Sequence, residues 1–274
     1  MHEQNRQSWN AVTPAHNRKK IGQSEFFSKG GDTLFPEELA LLGSLDGVRL
    51  LHMQCNCGQD TLSLARRGAR VTGVDICDEA IAFARQLAAE SGIPAEFHRS
   101  DLFDWFEHTS ERFDVAFSSY GSVGWLCDLG RWATGVRQVL RPGGRLVLVE
   151  FHPIVWSLRA DGLRGDPYFI DAPITERAGV GDYVNAALAP SGFEPQPIFE
   201  NPVPAVSFQW TLADILQAVI DAGLQITHVR EYPHANGCEP FEGMRALAGR
   251  RYVMPADMPS MPLMLGLAAI RPVR

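Results

Sequence analysis

The segment His52-Met53-Gln54-Cys55-Asn56-Cys57-Gly58-Gln59-Asp60 gathers hydrogen-bonding side chains around a single glycine. Gly58 lets the backbone approach a ligand closely, Asn56 tolerates a positive φ, and a following helix begins with free amides. Asp75 lies some twenty residues on, at the spacing from which a carboxylate accepts hydrogen bonds from both hydroxyls of a ribose. Asp101, beside Leu102, is a second candidate carboxylate. Two imidazoles could take a proton from a nucleophile near neutral pH: His152, and His234 within Tyr232-Pro233-His234-Ala235-Asn236-Gly237-Cys238. Each residue also has a structural reading. Asp75 and Asp101 could cap helices, and His152 could cap a turn before Pro153.

The surrounding elements must bring these residues to one edge. Val48–Met53 is a short apolar run suited to a buried parallel strand, and Asp60–Arg67 has helical spacing up to Gly68. Arg70–Asp75 reads as a second strand. Asp78–Ser91 reads as a helix capped by Asp78 and stopped by Gly92. Strands follow at 95–99 and 113–118, then a helix at about 128–140. Arg141-Pro142-Gly143-Gly144 makes a sharp turn into the apolar strand Arg145–Phe151. Such alternation builds βαβ units and a parallel sheet. Ligands sit beyond the carboxyl ends of such strands, where the 52–58 turn, Asp75, Ser118 and His152 all fall.

Residues 1–46 read as polar and helical, punctuated by Trp9, Phe26, Phe27 and Phe35. From 152 onward Pro and Gly become frequent, with turns at Asp166-Pro167, Ala189-Pro190-Ser191-Gly192 and Asn201-Pro202. This stretch is too short and aperiodic for its own core and reads as an inserted cap. Thr211–Ala222 returns to a helix. Gln225–Tyr232 and Leu263–Ile270 are strands, with a turn-rich excursion between them. The expected organisation is an N-terminal helical lid at 1–46 and a domain at 47–274 with cap insertions at 152–209 and 233–262.

Over residues 46–151 the chain resembles the class I S-adenosylmethionine (SAM)-dependent methyltransferases, of the bacterial small-molecule type. The matching segments are Leu50–Gly58, Val71–Asp75, Arg99-Ser100-Asp101-Leu102, Ser118-Ser119-Tyr120-Gly121 and Leu140-Arg141-Pro142-Gly143-Gly144-Arg145-Leu146. The resemblance implies an α/β, Rossmann-like, doubly wound fold. Its mostly parallel seven-stranded sheet would end in an antiparallel strand and carry an inserted substrate cap. It implies S-adenosyl-L-methionine as cofactor and S-adenosyl-L-homocysteine (SAH) as product. The cofactor residues would be Gln54, Asn56, Gly58, Asp75, Ile76, Asp101, Leu102 and Ser118, with Gln54 and Asn56 on the methionine part. His152 is the first candidate base, His234 the second, and Tyr120 a candidate substrate contact. One departure stands out. The family's first loop carries an acidic residue and three alternating glycines, where this chain has His52, Gln54, Asn56 and Gly58.

The formal charge of -7, with no long Lys/Arg run, argues against a nucleic-acid partner. Arg18-Lys19-Lys20 and Arg250-Arg251 read as solvated surface. No apolar stretch is long enough to span a bilayer, and the start lacks a signal-peptide core. The five cysteines lack a disulfide or zinc-site spacing, which points to a reducing, cytoplasmic compartment and no metal. The expected partner is a small-molecule acceptor, aromatic or hydrophobic, walled by Trp156, Tyr168, Tyr183 and Trp210. Trp9 and His16 would close over the cofactor. The expected assembly is a monomer or homodimer, and the acceptor atom (N, O or C) stays open. Two alternatives remain beside methyl transfer, one being a SAM-binding protein of other function. The other, an NAD(P)-dependent oxidoreductase, is disfavoured by the missing G-x-G-x-x-G.

Overall fold

The apolar runs form strands because both of their faces are covered. In the computed structural model, which describes residues 1–159, 165, 167–187, 194 and 196–273, successive residues of a strand enter opposite core layers. Leu51 and Met53 enter one layer and Leu50 the other; Leu146 and Leu148 enter one and Val147 the other. This period of two, apolar on both sides, is what a doubly covered parallel sheet requires.

In chain order, α1 (His2–Arg18), α2 (Gln23–Ser28) and α3 (Pro36–Leu42) precede β1 (Arg49–Met53). Then come α4 (Gln59–Arg66), β2 (Arg70–Asp75), α5 (Asp78–Ser91), β3 (Glu96–Arg99), α6 (Leu102–His108) and β4 (Phe113–Ser119). α7 (Leu129–Val139) leads into β5 (Leu140–Phe151). A short antiparallel pair, β6 (Ile174–Glu176) and β7 (Ala205–Ser207), follows, then α8 (Leu212–Asp221) and β8 (Gln225–Tyr232). β9 (Ala235–Asn236), β10 (Arg245–Leu247) and β11 (Arg251–Val253) form a small antiparallel sheet before β12 (Met264–Ile270). The excursion at 233–262 thus holds a three-stranded sheet within its turns.

The main sheet has seven strands in the order β3-β2-β1-β4-β5-β12-β8. β12 is antiparallel to both neighbours, which leaves β8 parallel to the rest, as expected. α6, α7 and α8 pack on one face around Trp132, Phe103 and Ile215. α3, α4 and α5 cover the other. Strand order reverses between β1 and β4, so the carboxyl ends of these two strands flank a crevice. Among the described residues no helix is long and apolar enough to cross a membrane.

Local chemistry sets the joints. Leu140 pairs with Phe113 and pairing resumes at Arg145 with Val115, so Arg141–Gly144 loops out between them. A Cβ on Gly144 would lie 2.9 Å from the Arg141 carbonyl oxygen, so only glycine fits there. α5 starts at Asp78, but its cap is Cys77, whose Sγ accepts from the Ala80 amide at 3.4 Å. Asp78 instead binds Asn10 and Arg6 of α1. The expected turn at Ala189–Gly192, and Asp166 of the turn Asp166-Pro167, lie outside the described residues.

Gly135 of α7 sits against Phe106 of α6, where an added Cβ would fall 2.1 Å from the ring. Gly135→Ala gains about 1 kcal/mol of helix propensity but overpacks a buried contact. The variant should be destabilised by about 1–3 kcal/mol in urea melts.

Candidate active site

A cavity of about 700 Å³ opens at the carboxyl ends of the parallel strands. Gln54 and Asn56 line it from the turn after β1, Asp75 and Ile76 from the end of β2, and Asp101 and Leu102 from the start of α6. Tyr120 lines it after β4. The structure therefore gathers seven of the expected site residues along one wall.

The turn after β1 keeps a glycine-type backbone without the glycines. Gln54 has φ 51° and Asn56 φ 47°. Asn56 steadies itself, its Oδ1 accepting from the Cys57 amide at 2.7 Å. Gln54 Nε2 donates to the Ser122 carbonyl at 2.9 Å, while its Oε1 is buried with no hydrogen-bond partner. The Asp75 carboxylate accepts from the Asn56 and Cys77 amides at 2.8 and 2.9 Å. Burial pushes this carboxyl up despite those bonds. His52, at the family's acidic position, is buried against Phe117 with Nδ1 2.8 Å from Thr61 Oγ1. Desolvation lowers it to about 3, so it stays neutral.

Gly58 does not line the cavity. It caps α4 at φ 77°, and a Cβ there would lie 2.8 Å from Ala84 and 2.9 Å from Phe97. Close packing and backbone shape explain this glycine. At Asp101, Oδ1 caps α6 through the Phe103 amide at 2.8 Å, and Oδ2 lies 2.5 Å from His2 Nδ1. Burial raises this carboxyl, but His2 and the amides outweigh it and hold it below the usual range. His2 also lines the cavity and lies beside Phe103, ring centroids 5.1 Å apart.

Besides Gly58, three expected residues lie off the wall. Ser118 is buried and its hydroxyl pairs with Ser122 Oγ at 2.8 Å. His152 points away from the cavity. Its Nδ1 accepts from the Ile154 amide at 3.2 Å, and its Nε2 lies 2.9 Å from Glu231 Oε1 without hydrogen-bond alignment. It caps the 3₁₀ turn Pro153–Ser157, which is its structural reading. His234 Nε2 lies 3.1 Å from Glu37, a carboxylate also bound by Arg251 and Asn236. Burial raises Glu37, but Arg251 and Asn236 outweigh it and bring it below its usual range. Asn236, two residues on, does reach the cavity and donates to Tyr120 Oη at 3.0 Å.

Glu150 takes the place expected of His152. It lines the cavity, where His152 does not, and is 4% exposed. Its carboxylate binds the amides of Gly121, Ser122, Val123 and Phe151, and so holds the turn after β4. Burial raises this carboxyl while the four amides pull it down. An acid inside an apolar strand is a visible sequence signal, because a buried carboxylate needs donors. Asp60, Arg250 and His2 also line the wall and gave no such signal.

α1 and the cap close the cavity from above. Trp9 meets Trp125 and Tyr183 edge-on at 5.6 and 6.2 Å, and all three line the cavity. Trp156 and Trp210 line it too, whereas Tyr168 instead accepts from the Leu212 amide. His16 is buried behind Tyr183, and the Lys19 ammonium pairs with Asp182 with both side chains out of solvent. Asn5 exchanges two hydrogen bonds with Val206 of β7.

A family model described as a methyltransferase domain matches residues 50–144. An S-adenosyl-L-methionine-dependent Diels-Alderase of Talaromyces variabilis is 37% identical over 108 residues, covering 38% of this chain and 36% of that protein. A ubiquinone biosynthesis O-methyltransferase of Aeromonas salmonicida is 30% identical over 106 residues, covering 39% and 44%. The chain thus spans less than half the length of these curated relatives. Among solved structures, a S-adenosylmethionine-dependent methyltransferase from Mesorhizobium loti superposes with TM-score 0.56 at 23% identity, covering 89% of this chain and 100% of that one. That likeness is one of fold.

The roof makes stability depend on pH. Burial, aided by Lys20, lowers His16 from 6.5 to about 4. The unfolded chain therefore binds a proton at this residue between those values while the folded one does not. The stability this confers is complete above about pH 6.5 and is lost as pH falls towards 4. Urea melts across that window should show a shallower loss for His16→Gln than for the wild type.

Proposed function

We propose that this chain, whose residues 50–144 match a methyltransferase-domain model, is a class I SAM-dependent methyltransferase that transfers a methyl group from SAM to a small-molecule acceptor held under the cap. The observation that carries this reading is the order of unfilled hydrogen-bonding capacity along one wall. Gln54 Oε1, buried and unpartnered, suits an ammonium group. The Asp75 carboxylate, with lone pairs left beyond its two amides, suits a ribose diol. Asp101 and Leu102 suit an adenine, with His2 against the same carboxylate. Residues of these types fit the cofactor in the sequence ammonium, ribose, base.

When bound, SAM supplies an electrophilic methyl group on a sulfonium that departs neutral. The chain's contribution is to hold the acceptor in line with it and exclude water. Trp9 and Tyr183 close the cavity over the nucleoside edge, and Phe151, Trp156, Phe208 and Trp210 offer apolar walls for an aromatic or hydrophobic acceptor. Tyr120 stays protonated, because burial and nearby Glu38 push its hydroxyl well up. Asn236 donates to its oxygen and Glu38 lies within reach of its hydroxyl, so Tyr120 faces the acceptor space as a fixed, neutral group. His152 and His234 are too far off the wall to serve as base. Asp60, on the wall and raised by burial, is the group suited to take a proton.

A second reading, a SAM-using enzyme without methyl transfer, is favoured by the relative named as a Diels-Alderase. It differs in outcome, since turnover would then release no SAH.

Thermal-shift assays should show stabilisation by SAM and by SAH. A response to NAD(P) with none to SAM would overturn the assignment. Asp75→Ala should remain folded by circular dichroism and lose on the order of a hundredfold in SAM affinity, two charge-assisted hydrogen bonds being lost. Wild-type affinity in that variant would remove Asp75 from the site.

A further inference from the structure

The turn after β4 has an unusual backbone. Tyr120 at φ 24° and Gly121 at φ 72° are consecutive left-handed residues, followed by Ser122 at φ -90°. Such a run turns successive N–H groups to one side and forms an amide nest, a concavity of positive potential that ordinarily attracts an anion. Here the nest is filled from within the chain. Glu150 Oε1 takes the Gly121 amide and, at 2.7 Å, its neighbour Phe151's. Oε2 takes the Ser122 amide at 2.8 Å, the Val123 amide at 3.0 Å and Ser122 Oγ at 3.1 Å. Every partner is a donor, so both oxygens act only as acceptors and the arrangement fits the ionised group.

We infer that Glu150 makes the site selective for a positively charged donor: its buried carboxylate cancels the amide nest and leaves net negative potential on that part of the cavity wall. The inference rests on the SAM reading above. Satisfying four amides does not by itself call for a full charge, since neutral carbonyls and side-chain amides do so throughout proteins. A full charge at 4% exposure is costly, and it stands on the wall that also carries Gln54 and Tyr120. An empty nest at this point would repel a sulfonium and favour an anion. Of the other carboxylates near this turn, Asp60 is offset by the Arg250 guanidinium, and burial pushes the Glu38 carboxyl well up, towards its neutral form. Gln54 completes the arrangement by tying the Ser122 carbonyl to the β1 loop.

SAM and SAH separate the charge effect from a structural one, because they share the nucleoside and amino-acid parts and differ in the sulfonium. Calorimetric titration of wild type and Glu150→Gln with each ligand gives four dissociation constants. Loosening of the turn alone weakens both ligands by the same factor. Loss of the charge weakens SAM further, by about tenfold relative to SAH for a partly screened charge within several ångströms. An unchanged SAM-to-SAH ratio overturns the inference, even if both affinities fall. Should Glu150→Gln not fold, Glu150→Asp keeps the charge but draws it back by one methylene. The ratio should then fall by about two- to threefold, and a wild-type ratio there overturns the inference equally. If the wild type binds neither ligand, the SAM reading itself fails and this inference falls with it.

Discussion

Backbone amides at the carboxyl edge of the sheet have left the strand ladder and still need partners. In this protein three acidic side chains supply them. Asp75 holds the Asn56 and Cys77 amides and so joins the β1 loop to the end of β2. Asp101 holds the start of α6. Glu150 holds four amides and fixes the turn after β4. The crevice keeps its shape because Asp75 and Glu150 carry the ties between β1 and β2 and between β5 and β4 on past the last ladder pairs. The cost is desolvation, visible in the raised carboxyls of Asp75 and Glu150. Groups that order the edge therefore also give it its negative character.

The same constraint explains a loop that departs from the family's glycine pattern. The sheet demands a left-handed backbone at Gln54 and Asn56, and φ values of 51° and 47° show that the demand is met by non-glycine residues. The strain is offset by bonds that glycine could not make. Gln54 reaches the Ser122 carbonyl and Asn56 reaches the Cys57 amide. Glycine persists only where volume forbids a side chain, at Gly58 between Ala84 and Phe97.

Above this edge, α1 links the two halves of the cavity. His2, Arg6 and Asn10 hold the β2 and α6 side through Asp101 and Asp78. Asn5 and Ser8 hold β7 and the stretch around Asn201, while Lys19 holds Asp182. A single helix thus contacts both the nucleoside edge and the cap, which ties the shape of the acceptor space to the residues around Asp75 and Asp101.

Much of the framework was legible because its signals are local. A run such as Leu146–Val149 needs only its own composition to be a buried strand, and Gly143-Gly144 needs only backbone sterics to be a turn. Asp75 and Asp101 could be placed because a strand end fixes which edge a residue reaches. What a strand end does not fix is where the next side chain turns. His152 turns to Glu231 on β8 and His234 to Glu37 on α3, partners 79 and 197 residues away. Glu150 enters the cavity because Gly121–Val123 present their amides to it. The sequence alone determined the sheet, its edge and the acidic positions along it, since those follow from periodicity and spacing. Only the tertiary structure decided which of the edge residues face the cavity, because a polar side chain points to whichever distant partner satisfies its charge.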